Sequence, residues 1–235
     1  MIFRNILFYI GLIPITVFFA VIGTLSFFLP FSIRYFIITR WSHFFIAWAK
    51  LTCGLNYNVQ NQENIPKQTC IVFSNHQSMW ETIFMQVLFP NQAWVLKKEL
   101  LKIPFFGWGL GLLKPIAINR KNINSIKQLI EQGKKCLEEN RWVIIFPEGT
   151  RVAPGVKHRY SRSGAALAEA THYPVLCVAH NAGLFWPRGF RIRKSGTVQV
   201  VIGPLIESKD KTAMEIQELS EQWIRERVRA NCPPP

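Results

Sequence analysis

The sequence predicts an α/β fold with a mixed, largely parallel sheet flanked by helices, preceded by an N-terminal hydrophobic helical segment. Two observations support this prediction. From residue 56 onwards, apolar runs of strand length alternate with stretches of helical spacing, which is typical of parallel sheets. Ahead of them, residues 6–31 contain no charged side chain. At ~1.5 Å per residue such a helix is long enough to cross a bilayer, so the segment is expected to bind a membrane.

The predicted strands and helices alternate along the rest of the chain. The strand candidates are residues 56–60, 69–74, 93–97, 115–119, 143–147, 174–180 and 198–202. The helix candidates are residues 80–88, 99–101, 123–139, 164–171 and 214–229. In such a sheet, functional residues are expected in the loops beyond the carboxyl ends of the strands. Polar residues follow four of these strands, namely His76, Arg120, residues 148–151 and His180.

The second part of the N-terminal region has its own pattern. Seven apolar residues fall on one helical stripe: Ile33, Phe36, Ile37, Trp41, Phe44, Phe45 and Trp48. This stripe predicts an amphipathic helix in the interfacial zone of a membrane, or else a core helix of the globular part. The first part either spans the bilayer or enters one leaflet as a hairpin with the second. Basic residues are dense only after the apolar run, so the globular part is expected to face the cytoplasm.

The composition indicates an anionic partner. The formal net charge is +14 and the isoelectric point is about 9.9, which suits nucleic acid, an acidic membrane or a phosphorylated substrate. Nucleic acid is not expected, because 49% of the residues are apolar and no recognised binding module is present. The five cysteines include no C-x-x-C pair, which favours reduced residues of a cytosol-facing protein over a zinc site.

Two short strings contain the candidate chemistry. Residues 75–81 (NHQSMWE) place His76 five positions before Glu81, directly after an apolar strand. If His76 lies in the loop and Glu81 in the first helical turn, they can form a general base held by a carboxylate. Residues 146–151 (FPEGTR) end another strand with a turn that includes Arg151. An always-charged guanidinium is suited to binding phosphate.

These strings resemble the motifs of the glycerolipid acyltransferase family. The first looks like its His-x4-Asp motif, with Glu81 where aspartate is commoner, and the second matches its Phe-Pro-Glu-Gly-Thr-Arg motif at every position. Residues 116–120 resemble a further block that ends in Arg120, and residues 173–180 resemble a proline-led apolar strand. The four blocks occur in family order, and the nearest resemblance is to bacterial members that act on 1-acylglycerol 3-phosphate.

The resemblance implies transfer of a fatty acyl group from an acyl thioester to the sn-2 hydroxyl of 1-acylglycerol 3-phosphate (lysophosphatidic acid). The product would be phosphatidic acid, for phospholipid synthesis. His76 and Glu81 would be catalytic. The acceptor site would comprise Arg120, Glu148, Gly149, Thr150, Arg151 and Arg162. The donor would be acyl-CoA or acyl carrier protein, with no further cofactor and no metal. Membrane lipids would be partners, and the expected location is the bacterial inner membrane, with the catalytic domain facing the cytoplasm.

Simpler interpretations exist for the same residues. Ser78 and Glu81 form an S-x-x-E capping box, in which the glutamate only closes a helix start. Taken alone, His76 would be an ordinary surface-loop histidine. Residues 147–150 would be an ordinary turn, and Arg162 would belong to a solvated basic loop. The ordered set of four blocks favours the functional interpretation.

The chain is expected to divide into a membrane-anchoring helical segment (1–52), a glycerophosphate acyltransferase-like α/β catalytic domain (53–232) and a short tail (233–235). Two alternatives to the leading function stay open. One keeps the chemistry but uses glycerol 3-phosphate or another lysolipid as acceptor. The other, from a different class, is a basic membrane-anchored binding protein.

Overall fold

The computed structural model describes residues 1–103, 106–118 and 124–231. The helices are α1 (Ile2–Leu25), α2 (Phe31–Cys53), α3 (Trp80–Leu88), α4 (Phe106–Leu112), α5 (Ser125–Glu138), α6 (Ser163–Thr171) and α7 (Ala213–Asn231). The strands are β1 (Leu55–Gln60), β2 (Ile71–Ser74), β3 (Gln92–Lys97), β4 (Ile116–Ile118), β5 (Trp142–Ile145), β6 (Val175–His180) and β7 (Gly196–Ile206).

All of these strands join one sheet, in the order β1-β7-β6-β2-β5-β3-β4. Each neighbouring pair is parallel except β6 and β7, which are antiparallel. The central strands β2, β5 and β6 are buried along their whole length, as their almost continuously apolar sequences require in a sheet covered on both faces. The predicted mixed, largely parallel sheet flanked by helices is confirmed.

Successive strand side chains point to opposite faces of the sheet, so each face has its own core. On one face, Val72 and Ile144 pack with residues of α1, α2 and α3, including the fully buried Phe8 and Phe45. On the other face, Ile71 and Val143 pack with residues of α5, α6 and α7. The N-terminal helices therefore share a core with the sheet, and the predicted division at residue 52 stays a prediction.

Helices α1 and α2 run antiparallel along the first face. The indole of Trp48 donates to the carbonyl of Phe8 at 2.9 Å, and that of Trp41 donates to Thr16 Oγ1 at 3.0 Å. The stripe predicted on α2 is divided between two environments, because Phe45 is fully buried whereas Phe36 is 58% exposed. The buried face of α2 also includes polar groups that find partners there, namely Tyr35, Thr39 and Ser42.

Helix α4 is the main element that the sequence did not predict. Its glycines lower helix propensity by about 1 kcal/mol each relative to alanine. Gly107 is required by close packing, because a Cβ there would lie 2.5 Å from the carbonyl oxygen of Leu101. The helix packs on α1 and α2, so tertiary contacts compensate for its weak propensity.

Candidate active site

The loop between β2 and α3 holds His76 against Glu81. Nδ1 of His76 lies 2.8 Å from Oε1 of Glu81. Because a carboxylate oxygen accepts, Nδ1 carries the proton and Nε2 is left as the basic nitrogen. His76 lies before the helix and Glu81 lies in its first turn. This is the arrangement in which two side chains five positions apart can meet.

The same oxygen of Glu81 also caps the start of α3. Oε1 accepts the backbone N–H groups of Gln77 at 2.9 Å and Ser78 at 2.8 Å. Capping and contact with the histidine are therefore not alternatives in this structure, since one carboxylate oxygen does both.

The carboxylate of Glu81 is fully buried and anionic. Burial acts to raise its pKa, but electrostatic interactions with the imidazoles of His180 and His76, together with hydrogen bonds from His76 and the Ser78 N–H, outweigh it. The net effect is a pKa below the ordinary value for glutamate. Among the described residues, Oε2 of Glu81 has no hydrogen-bond partner. All three hydrogen bonds to the carboxylate therefore end on Oε1. A buried anion at this point favours an imidazolium on His76 during reaction.

The second string closes around His76 from the neighbouring strand. Oε2 of Glu148 accepts the His76 N–H at 2.7 Å, and the Val152 N–H donates to the His76 carbonyl at 2.7 Å. The ring of Phe146 stacks on the imidazole, with centroids 4.3 Å apart and planes at 16°. Strands β2 and β5 are parallel neighbours, so their carboxyl ends bring the two strings together.

The carboxyl group of Glu148 has an unusual protonation equilibrium. Burial and the charge of Glu81 raise its pKa to about 7, while the His76 N–H bond and Arg225 act in the opposite direction. Glu148 therefore changes charge near neutral pH while its carboxyl group is bonded to the backbone N–H of His76. The structure gives this side chain a contact with the histidine that the sequence did not indicate.

Three further acceptor-site candidates lie in the turn after β5. Gly149 has φ of +68°, a left-handed conformation that favours glycine. Thr150 is exposed and Arg151 is half-buried, next to the Val152 that bonds His76. No described carboxylate forms an ion pair with Arg151.

Of the two other candidate arginines, Arg162 and Arg120, the structure describes only the first. Arg162 is exposed at the start of α6. It lies beside the same loop, because the Ser161 N–H donates to the Pro147 carbonyl at 2.8 Å. Arg120 lies outside the described residues.

The structure also reveals a pair of residues to which the sequence assigned no role. The side chain of Asn75 donates to the His180 carbonyl and accepts the His180 N–H, both at 3.0 Å. In return, Nε2–H of His180 donates to the Asn75 carbonyl at 2.8 Å. These three bonds hold the residue immediately before His76.

His180 is a neutral, buried histidine. Its side chain is inaccessible, and burial lowers its pKa, with Glu81 and the bond to Asn75 opposing that effect. The Ala182 N–H donates to Nδ1 at 3.3 Å, which fits a proton on Nε2. The only sequence signal for this role was a polar residue at the end of an apolar strand.

A cavity of about 610 Å³ lies at the opposite edge of the sheet, where β2, β5 and β6 begin, and is lined by Thr69, Trp142 and Pro174 among others. No group of three or more His, Cys, Asp or Glu residues is placed to hold a metal ion within the described ranges.

Comparison with known proteins agrees with the motifs. The family model described as acyltransferase matches residues 56–181. The 1-acyl-sn-glycerol-3-phosphate acyltransferase of Pseudomonas aeruginosa is 46% identical over 232 residues, which cover 95% of this chain and 89% of that protein. A human 1-acyl-sn-glycerol-3-phosphate acyltransferase beta is 27% identical over 185 residues, which cover 77% and 66% of the two proteins.

A solved structure shows the same fold. The crystal structure of the 1-acyl-sn-glycerophosphate (LPA) acyltransferase from Thermotoga maritima is 23% identical, with a TM-score of 0.80 over 97% of this chain and 95% of that one. The family model and the P. aeruginosa relative confirm the resemblance found in the motifs. The chain belongs to the acyltransferase family.

Proposed function

We propose that this enzyme transfers a fatty acyl group from an acyl thioester to the sn-2 hydroxyl of 1-acylglycerol 3-phosphate, giving phosphatidic acid. One observation carries the proposal: the imidazole of His76 is bonded through Nδ1 to the buried Glu81, beside the loop that presents Arg151. The names of the relatives, 1-acyl-sn-glycerol-3-phosphate acyltransferases, support this acceptor.

The proposed chemistry begins at Nε2 of His76. This nitrogen removes the proton of the acceptor hydroxyl while the oxygen attacks the thioester carbonyl. Glu81 keeps the other ring nitrogen protonated and stabilises the imidazolium that forms. The tetrahedral intermediate then collapses, the carbon–sulfur bond breaks, and the imidazolium returns its proton to the departing thiolate. Acyl transfer is direct in this scheme, with no acyl-enzyme.

The acceptor phosphate is proposed to bind the arginines of the second string and its surroundings. Arg151 is half-buried and free of carboxylates within the described ranges, so its fork of donors is available to phosphate oxygens. Arg120 and Arg162 are proposed to assist it. Glu148, held against the His76 N–H, is proposed to meet a glycerol hydroxyl, with Gly149 and Thr150 forming the turn beside it.

The donor is proposed to be acyl-CoA or acyl carrier protein, with no further cofactor and no metal. Both donors are anionic, which suits a net charge of +14.

The enzyme is proposed to act at a bacterial inner membrane, with the catalytic domain facing the cytoplasm. α1 is the one described helix long and apolar enough to cross a membrane. Its contacts favour insertion into one leaflet as a hairpin with α2. Asn5 bonds to Ile192 at 2.9 Å, α1 packs on α4, and Arg34 at the start of α2 donates to the Leu112 carbonyl at 3.1 Å.

A donor-by-acceptor assay in detergent tests the function. Acyl-CoA and acyl carrier protein donors are each offered with 1-acylglycerol 3-phosphate, glycerol 3-phosphate and a monoacylglycerol. We expect phosphatidic acid from the first acceptor and a much lower rate with the monoacylglycerol, which lacks phosphate. Preference for glycerol 3-phosphate or another lysolipid would replace the acceptor, and no transfer to any alcohol would favour a binding protein.

A further inference from the structure

A loop on the first sheet face is bonded to α1 by several side chains. The side chain of Asn5 makes two bonds of 2.9 Å to the backbone of Ile192, and the hydroxyl of Tyr9 donates to the carbonyl of Phe190. The ring of Trp186 meets that of Phe8 edge to face, with centroids 5.6 Å apart. We call residues 186–194 the arginine loop.

An apolar groove of about 540 Å³ runs between α1 and the arginine loop. One wall is a row of isoleucines on a single face of α1: Ile2, Ile6, Ile10 and Ile13. All four are at least half exposed. At ~1.5 Å per residue the row extends for about 16 Å, which suits an extended hydrocarbon chain rather than a small polar ligand.

The other wall combines an exposed aromatic ring with positive charge. Phe190 is 78% exposed, and Arg191 lies beside it in the lining of the groove. Arg188 and Arg193 are also exposed, and no described carboxylate pairs with any of the three arginines. The chain has no acidic residue between Glu169 and Glu207. One guanidinium group without a described carboxylate partner therefore lines the apolar groove, and two more are exposed within three residues of it along the arginine loop.

We propose that this groove binds an anionic phospholipid of the membrane that α1 enters. The phosphate would lie on Arg191 and its two neighbours, and one acyl chain would lie along the isoleucine row. Clusters of arginine beside a membrane-inserted helix favour anionic headgroups, and an aromatic side chain such as Phe190 suits the apolar face of an interfacial segment. The exposed apolar surface of α1 continues from the groove, which favours a lipid over an acidic protein.

The proposal rests on the membrane location proposed above and not on the reaction. Native mass spectrometry of the full-length protein in detergent tests it, with phosphatidylglycerol or phosphatidylcholine of identical chains added in the absence of donor and acceptor. We expect the wild type to retain one phosphatidylglycerol, and to retain phosphatidylcholine about tenfold less well.

The variant for the test is R188Q/R191Q/R193Q, which leaves the backbone contacts of the loop in place. Its matched control is K127Q/K134Q/K135Q on α5, which removes the same charge from exposed side chains on the opposite sheet face. We expect the loop variant to bind phosphatidylglycerol about 10–100-fold more weakly and the control to bind it like the wild type. Arg151→Gln, which alters the proposed acceptor site, is expected to keep this lipid.

Four outcomes would overturn the proposal: equal retention of both lipids, wild-type retention by the loop variant, an equal loss in the α5 control, or loss in Arg151→Gln alone. If the loop variant keeps phosphatidylglycerol but loses activity only with an acyl carrier protein donor, the surface binds an acidic protein instead. Failure of acyl transfer by the wild type, with phosphatidylglycerol retained by the wild type and lost in the loop variant, would count against the proposed function alone.

Discussion

The two halves of the candidate site are built differently. His76 and Glu81 are held by defined bonds: the imidazole is fixed through Nδ1, the carboxylate oxygen has three donors, and the histidine backbone is bonded on both sides. In contrast, the half-buried Arg151 and the exposed Arg162 form no ion pair with described carboxylates. The difference indicates a preorganised catalytic half and an acceptor half that completes its contacts with the ligand.

Removing the imidazole should have the largest effect. His76→Asn keeps a side chain that can donate to Glu81 but removes the base, so we expect kcat to fall by ~10²–10⁴-fold, with little change in the KM for the acceptor. His172→Asn is the matched control, because that histidine is exposed at the opposite edge of the sheet. Steady-state kinetics measure both, and near-normal kcat in His76→Asn would remove the histidine from the chemistry.

Neutralising the carboxylate should have the next largest effect. Glu81→Gln retains an oxygen that accepts the N–H groups of Gln77 and Ser78 but loses the charge that favours the imidazolium. We expect kcat to fall by ~10²-fold, the lower end of the range for general base catalysis, while the melting temperature changes little. If the variant keeps full kcat, Glu81 serves only as the helix cap.

Changing the acceptor arginines should separate binding from chemistry. Arg151→Gln removes charge-assisted bonds worth ~1.5–3 kcal/mol, so we expect the KM for the acceptor to rise by about 10–100-fold and kcat at saturation to stay near wild type. Arg162→Gln should have a smaller effect, about twofold, because that side chain is exposed and screened. Acceptor titrations at fixed donor concentration measure both KM values. Equal increases would show that the burial of an arginine does not determine how much it contributes to acceptor binding.

The smallest effect concerns stability and pH. The pKa of Glu148 is raised to about 7 in the folded protein, above the ordinary value of ~4.3, so its carboxyl stabilises the fold at low pH and loses that contribution as pH rises through 7. Glu148→Gln does not titrate, so its melting temperature relative to wild type should increase from about pH 5 to pH 8. Thermal unfolding across that range measures the difference, and a difference independent of pH would contradict the raised pKa.

The sequence predicted the elements that depend on local pattern. The buried strands β2, β5 and β6 were visible as short apolar runs, and the place of His76 and Glu148 followed from the rule that function lies beyond strand ends. The shared use of Glu81 as cap and partner was also present in the sequence, but as two competing interpretations. Only coordinates show that one oxygen serves both.

What the sequence did not predict depends on contacts between distant parts of the chain. His180 and Asn75 are joined across 105 residues, and neither has a local signature of that pairing. The bond from the His76 backbone to Glu148 spans 72 residues, and no local pattern predicts it. The resemblance to the family placed Glu148 in the acceptor site and gave no sign of its contact with the histidine. The glycine-rich α4 was missed because its stability depends on neighbours such as Leu101 rather than on propensity.

The most direct test of the two-part site separates acceptor binding from chemistry in matched variants. Equilibrium binding of labelled 1-acylglycerol 3-phosphate is measured without donor, and single-turnover acylation is then measured at saturating acceptor. We predict that His76→Asn binds the acceptor like the wild type but fails in the single turnover, whereas Arg151→Gln binds it weakly and turns over normally once saturated. Loss of the same parameter in both variants would contradict the account.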